Sequence, residues 1–360
     1  GPGRKTGMTH GITQTIGLDL GDRQVEYAVL ADGEEDASEA GHFPATRRGL
    51  ERFFERASPS RVILEAGGHS RWMEALIGNL GHEPMVVDPR RLPLISRSLA
   101  KTDKRDAELI AWLGRAAPKL LNQIRHRGAE AQADLAVLRT RQNLVQARTS
   151  LICAARSQVK LRGGRIPACA TVVFARRARE HVPEEIEQAV LRLLDTIQHL
   201  TDQIRAMDEQ IEALGRKYDE TKRLRQVPGV GPITALGFVL TLEDPSRFQR
   251  SRDVGPFFGL VPRRFESGAK SQQLGITKAG DKYMRHMLVQ ASQHILGHRG
   301  PDSDLRRFGE RIATRGGKNA KKRAVVAVAR KLAVLLHALW SSGATYDPLR
   351  TSKKASAAAA

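Results

Sequence analysis

Nine apolar residues constrain this chain more than any other feature. Ile186, Val190, Leu193, Ile197, Leu200, Ile204, Met207, Ile211 and Leu214 recur at steps of four and three without a miss. That is the a/d spacing of a coiled-coil seam over about four heptads, and it demands one long helix with its stripe covered by another. Spacing alone leaves the partner open. An earlier helix carries Leu138, Val145, Ile152 and Val159 at seven-residue spacing, with Arg139, Arg141, Arg148 and Arg156 on its other faces. Gly163-Gly164 and Pro167 separate the two helices. An antiparallel hairpin within one chain and dimerisation through the second helix both satisfy the pattern. The arginine face reads either as solvated or as a phosphate contact.

This helical segment, 130–222, divides the chain. Residues 12–118 alternate strands and helices: strands at 12–20, 25–31 and 41–45, a helix at 49–57, a strand at 62–65, a helix at 72–80, a strand at 85–87 and a helix at 103–113. The apolar run Val62-Ile63-Leu64 suits a central strand covered on both faces. Three strands, helix, strand, helix, strand, helix is the order of an RNase H-like, or RuvC-like, fold. The predicted class is therefore α/β plus all-α.

Four acids fall where that fold would gather them. Asp19 sits in Ile16-Gly17-Leu18-Asp19, Glu65 ends the 62–65 strand, and Asp103 and Asp106 share a helix face one turn apart. Carboxylates at strand ends and on one helix face suit a divalent-metal site, Mg²⁺ or Mn²⁺. Two such cations can clamp a phosphodiester. Taken alone, Asp103 and Asp106 read equally well as a helix cap and a surface acid.

Charge points to the substrate. With 59 Lys and Arg against 39 Asp and Glu, the net charge is +20, which attracts polyanions and favours salt-sensitive nucleic-acid binding. The two cysteines, Cys153 and Cys169, have no metal-ligand spacing and are expected to be reduced and buried. No HExxH pattern, signal peptide or bilayer-length apolar run is read, and the expected compartment is the bacterial cytoplasm, at the nucleoid. Gly1-Pro2-Gly3 reads as a vector remnant, and residues 350–360 read as a disordered tail.

Residues 223–349 form a basic, mostly helical third segment. Val227-Pro228-Gly229-Val230-Gly231-Pro232 reads as the turn of a helix-hairpin-helix element, whose glycines let backbone approach a phosphate at the next helix's N-terminus. A plain tight turn between helices is the alternative. In Gly259-Leu260-Val261-Pro262-Arg263-Arg264-Phe265-Glu266-Ser267-Gly268, Ser267 reads as a turn serine, with Arg263, Arg264 and Lys270 near enough to hold phosphate. Lys278 and Arg285 flank a helix start, and Lys321, Lys322 and Arg323 form a basic cluster before an apolar helix expected to be core.

These motifs together resemble the DEDD transposases of bacterial insertion sequences, the insertion-sequence one-ten group of bridge-RNA-guided recombinases. The resemblance runs from about residue 11 to 349. It rests on the Asp19 strand, Glu65-Ala66-Gly67-Gly68, Lys101-Thr102-Asp103 through Asp106-Ala107, Pro228-Gly229-Val230-Gly231 and the 259–268 run. Departures are Gly67 where threonine is expected, Thr277 where serine is common and Met284 where leucine is common.

The resemblance implies a RuvC-like DEDD domain, a coiled coil and a transposase domain. It implies Asp19, Glu65, Asp103 and Asp106 as metal ligands, and Ser267 as the nucleophile of a phosphoserine intermediate with DNA. Expected partners are a guide (bridge) noncoding RNA, donor and target DNA, and further copies of the chain as a dimer or tetramer, with the site assembled between subunits. Two other classes satisfy the same residues. One is a metal-dependent RuvC-like nuclease or junction resolvase with Ser267 idle. The other is a non-catalytic nucleic-acid scaffold.

Overall fold

Alternation along one strand decides the architecture of the first half. The computed structural model describes residues 11–88, 103–118, 121, 123–124, 126–267 and 270–352, with backbone alone at 103–104, 264–267 and 270–273. In β1 (Gln14–Leu20), Ile16 and Leu18 face one side and Gly17 and Asp19 the other. With β2 (Gln24–Ala31), β3 (Glu39–Pro44), β4 (Ser60–Glu65) and β5 (Glu83–Val87) it forms a sheet ordered β3-β2-β1-β4-β5. The β1–β2 and β2–β3 pairs are antiparallel, and β1–β4 and β4–β5 are parallel. Parallel neighbours need crossovers, here α1 (Arg47–Phe54) before β4 and α2 (Ser70–Asn79) before β5.

Both faces are covered, which explains the unbroken apolar run of β4. Ile16, Leu18, Val62, Leu64 and Val86 pack with Leu50 and Phe54 of α1 and Met73 and Ile77 of α2. On the other face α3 (Asp103–Ala116) brings Ile110 onto Ile63 and Val87. It lies so close to β1 that a side chain at Gly17 would overlap the Ala107 carbonyl and the Ala111 amide. The element order is the one expected, with ends displaced by up to three residues. It is a mixed sheet flanked by helices, as an RNase H-like domain requires.

The chain separates into two compact units, Gly1–His126 and Arg127–Ala360. The second begins with α4 (Ala129–Leu161), followed by α5 (Phe174–Ala178) and α6 (Glu187–Lys217). The two long helices run antiparallel within the chain. Asp134 accepts from Lys217 (3.0 Å) and Tyr218 (2.6 Å), Arg141 donates to Asp208 (2.6 Å), and Arg148 donates to Thr201 (3.4 Å). Numbers rise on one helix as they fall on the other.

The seam of α6 is half as expected. Val190, Ile197, Ile204 and Ile211 are buried, but the alternating line runs through Leu194 and Thr201, while Leu193, Leu200, Met207 and Leu214 are half-buried. The α4 side pulls the stripe round, because Asp208 lies on that line to meet Arg141. The reading of the arginines as a solvated or phosphate-binding face is corrected here. Arg139 pairs with Asp281 (2.9 Å) and Arg141 with Asp208. Arg156 donates to the Ile166 (2.6 Å) and Pro167 (3.1 Å) carbonyls, and Arg148 is buried in the seam.

Beyond the hairpin, α7 (Glu220–Leu224), α8 (Pro232–Leu242), α9 (Val254–Phe257), α10 (Lys282–Leu296), α11 (Asp304–Thr314) and α12 (Ala320–Ser342) share a core through Phe238, Phe258, Leu288, Leu332, Leu336 and Trp340. Leu236 and Leu240 of α8 also pack on Leu135, Leu138 and Ile211 of the long helices. Three expectations change. A β-hairpin, β6 (Pro262–Ser267) and β7 (Lys270–Ile276), lies within the segment read as helical. Cys153 is exposed and Cys169 half-buried rather than both buried. By length and composition α12 is apolar enough to cross a membrane, contrary to the sequence reading, although its Val328, Leu332, Leu336 and Leu339 lie in the core. Of the expected tail, the Thr351 and Ser352 amides donate to Asp304 (2.6 and 3.3 Å), and the rest lies outside the described residues.

Candidate active site

The parallel register sets two of the four acids side by side. Leu18 pairs with Leu64, so Asp19 and Glu65 are the next step on adjacent strands and share the Gly17–Ile63 face. Adjacent strands are about 4.8 Å apart. Both side chains are half-buried at the carboxyl ends of their strands. The first turn of α3 packs on this same face, where Ala107 meets Gly17. Asp106, the preceding residue, is 6% exposed, so it is not a surface acid.

Asp103 begins α3, but its side chain lies outside the described residues. Among the described residues no three of His, Cys, Asp and Glu close into a metal-holding group. The register sets Asp19 and Glu65 on one face of the sheet, and Asp106 is buried in the first turn of the helix that packs on that face. The donors suit the expected ion, since carboxylate oxygens are what Mg²⁺ and Mn²⁺ take.

The loops after β1 and β4 carry residues that sequence reasoning missed. Asp22 and His69 approach to 4.0 Å, and the Trp72 indole donates to His69 Nδ1 (3.2 Å). Ser70, His126 and Glu74 form a further chain of contacts. These residues are up to 56 positions apart, and no local pattern links them.

In the second unit, Ser267 is the last residue of β6 and pairs across the hairpin with Lys270. The side chains of Ser267, Arg264 and Lys270 lie outside the described residues, and Arg263 is exposed. The base of this hairpin is built tightly. Gly259 (φ 66°) and Gly280 (φ 72°) leave no room for a side chain against Ala279 and Phe257. The Thr277 amide bonds the Val261 carbonyl (2.9 Å), and the Lys278 amide bonds the Gly259 carbonyl (3.1 Å). Arg285 donates to the carbonyls of Phe258 (3.0 Å) and Ala279 (2.7 Å), so its guanidinium supports the hairpin base from within. Lys278 itself is exposed.

The other expected nucleic-acid contacts lie on the surface. Gly229 (φ 85°) turns the chain before α8, and a Cβ there would come within 2.8 Å of the Ala291 carbonyl. Gly231 caps α8, with Pro232 in its first turn. The turn opens on a groove of about 470 Å³ walled by Arg225, Thr234, Gln290 and His294. Lys321, Lys322 and Arg323 are exposed in the first turn of α12, and Arg323 also donates to the Gly316 carbonyl (3.0 Å).

A mixed sheet in the order β3-β2-β1-β4-β5 with helices on both faces, and acids at the ends of two neighbouring parallel strands, is the arrangement of an RNase H-like domain. Known proteins place it more closely. The DEDD transposase model for IS110, described as a transposase, matches residues 16–161, and the model of the transposase IS116/IS110/IS902 family matches 221–308. The y4pF/y4sB transposase of Sinorhizobium fredii is 30% identical over 313 residues, 84% of this chain and 78% of that protein. The transposase for insertion sequence element IS1111A of Coxiella burnetii is 29% identical over 298 residues, 79% of each chain. The pilin gene-inverting protein of Moraxella bovis is 27% identical over 180 residues, 47% of this chain and 55% of that one. The chain belongs to the IS110 family and is a DNA transposase of an insertion sequence.

Proposed function

We propose that this transposase cuts and rejoins DNA through a phosphoserine intermediate on Ser267, assisted by Mg²⁺ or Mn²⁺ held by Asp19, Glu65, Asp103 and Asp106. The observation that carries the metal half is the register that sets Asp19 beside Glu65 on the face where α3 packs. A bound divalent ion would polarise the scissile phosphate and offset charge on its oxygens. Ser267 supports the second half by its place. It ends a strand whose hairpin base is fixed by paired glycines and Arg285, on a unit rich in exposed cations.

The steps balance without an external energy source. The Ser267 Oγ–H loses its proton, an Oγ–P bond forms, and the P–O bond to the leaving deoxyribose oxygen breaks, that oxygen taking a proton. The phosphodiester count is conserved, so a second hydroxyl can reverse the step on a new strand. One relative is named for inverting a gene, an outcome that such exchange produces. Sequence choice would come from a guide RNA paired with donor and target DNA, the protein gripping backbone through the Gly229–Gly231 turn, acting as a helix-hairpin-helix element, and through Arg263, Arg264, Lys270, Lys278, Lys321, Lys322 and Arg323. The hairpin of α4 and α6 would serve as the coiled coil of a dimer or tetramer.

The test is substitution of the acids. Asp19→Ala, Glu65→Ala and Asp106→Ala should each abolish strand cleavage in Mg²⁺ while leaving RNA binding largely intact, since a metal held by these acids serves the chemical step. Recombination at the wild-type rate in any one variant would remove that residue from the metal site.

A further inference from the structure

Ser70, His126 and Glu74 stand in an order that resembles a hydrolase triad. Ser70 Oγ lies 3.1 Å from His126 Nε2, and His126 Nδ1 lies 2.6 Å from Glu74 Oε2. Ser70 is fully buried, however, and its hydroxyl is already bound to backbone. It accepts from the Gly67 amide (3.1 Å), and its one hydrogen faces both the Gly67 carbonyl (2.9 Å) and His126 Nε2, which accepts it when the imidazole hydrogen sits on Nδ1. A nucleophile must reach its substrate, and this oxygen cannot. What it does reach is the loop Ala66-Gly67-Gly68 that directly follows Glu65.

Among the described residues, a side chain at Gly67 or Gly68 would meet nothing within 4 Å, and the backbone of that loop makes few hydrogen bonds. Two successive glycines add conformational freedom. Upstream, the Ala66 amide bonds the Val87 carbonyl of β5 (2.9 Å). Downstream, the fixed point is Ser70, which opens α2, donates its amide to the Gly67 carbonyl (3.4 Å) and meets His126 through its hydroxyl. The segment bearing His126 is itself docked on β5, through the Val87–Gln123 bridge and the Ile124 amide on the Val86 carbonyl (2.7 Å). With a carboxylate as acceptor, Nδ1 carries the hydrogen, so Glu74 fixes the ring's rotation and aims Nε2 at Ser70.

We infer that His126, oriented by Glu74, is a positioning residue that sets the Glu65 carboxylate by clasping the Gly67–Ser70 turn through Ser70. The inference rests on Glu65 being a metal ligand. His126 is also the last residue of the first unit, so the clasp ties the loop after Glu65 to the point where the chain leaves that unit.

Two atoms of the ring can be tested separately. In His126→Gln the amide sits near the position of Nε2 and can still bond Ser70. In His126→Asn it sits near Nδ1 and can bond only Glu74. The full-length protein would be titrated with Mn²⁺ by calorimetry, and amide exchange at Gly67 and Gly68 followed without metal. His126→Ala and Ser70→Ala should weaken Mn²⁺ binding by about 10-fold or more and speed exchange at both glycines. His126→Gln should recover most of the affinity, and His126→Asn should not.

Unchanged exchange and affinity in His126→Ala would overturn the inference, as would equal rescue by glutamine and asparagine. Should His126→Ala fail to fold, the glutamine and asparagine variants decide alone. Glu65→Gln separates the two layers. If it leaves Mn²⁺ affinity intact, the ligand reading of Glu65 fails, while the exchange data still judge the clasp.

Discussion

Single residues in this chain take roles that their chemistry alone does not announce. Arg148 is the sharpest case. It lies on a helix face rich in arginine, yet it is 8% exposed between α4 and α6, its Nε has no hydrogen-bond partner among the described residues, and its bond to Thr201 is long at 3.4 Å. Burial pushes its pKa down, and Arg141 adds to that. A buried guanidinium so weakly satisfied gives little net stability, and an apolar residue of similar length often does as well. Arg148→Met should therefore leave stability unchanged or raise it by about 1–3 kcal/mol in denaturant unfolding. A loss of more than about 2 kcal/mol would mean that the guanidinium is well paired in solution.

At the scale of elements, the seam read from the sequence is used inside the chain. Ile197 and Ile204 are 0% and 4% exposed between α6 and its neighbours. Aspartate at both should unfold the hairpin rather than merely dissociate an oligomer, at a cost of at least about 3 kcal/mol apiece from burying unpaired charge. Circular dichroism of the purified variant would show lost helicity and a lowered melting temperature. Full helicity with a smaller mass in light scattering would restore the seam to an intersubunit role.

The same elements show what was legible. Heptad spacing gave α6 its existence and length, but period alone cannot show which flank a partner covers. The heptad reading therefore puts Leu193 and Leu200 on the seam, where the structure buries Leu194 and Thr201. The continuous run at Val62–Leu64 placed β4, and through it Glu65 beside Asp19. The β6–β7 hairpin was missed because Arg263-Arg264-Phe265-Glu266 shows no clean alternation, and its geometry is imposed by Gly259, Gly280 and Arg285 from elsewhere. The contacts of Ser70 with His126 and Glu74 were invisible, because they join residues that only the fold brings together.

For the molecule as a whole, a net charge of +20 sets the strength and character of nucleic-acid binding. Exposed cations bind phosphate by releasing counterions. Affinity for RNA or DNA should fall steeply with salt, about 10³- to 10⁵-fold between roughly 50 and 200 mM for about 6–10 phosphate contacts. Lys321→Ala with Lys322→Ala should flatten the log–log slope by about 1–2, across all sequences alike. A salt-independent affinity in filter binding would show that the basic surface is not the grip.

The proposed metal ligands Asp19, Glu65, Asp103 and Asp106 and the proposed nucleophile Ser267 are taken to serve one reaction. That link is tested most directly by running a trapped reaction with guide RNA, donor and target DNA on a denaturing gel. Wild type should give a protein–DNA band that survives denaturation. Ser267→Ala, which removes one oxygen with little change in shape, should give none while still binding RNA and DNA. Asp19→Ala should also give none. A covalent band that persists in Ser267→Ala would place the nucleophile elsewhere, with Thr277 and Ser271 the nearest hydroxyls in sequence on that stretch of the chain. DNA cut by wild type with no covalent band at all would contradict the account and leave a nuclease that works through its acids alone.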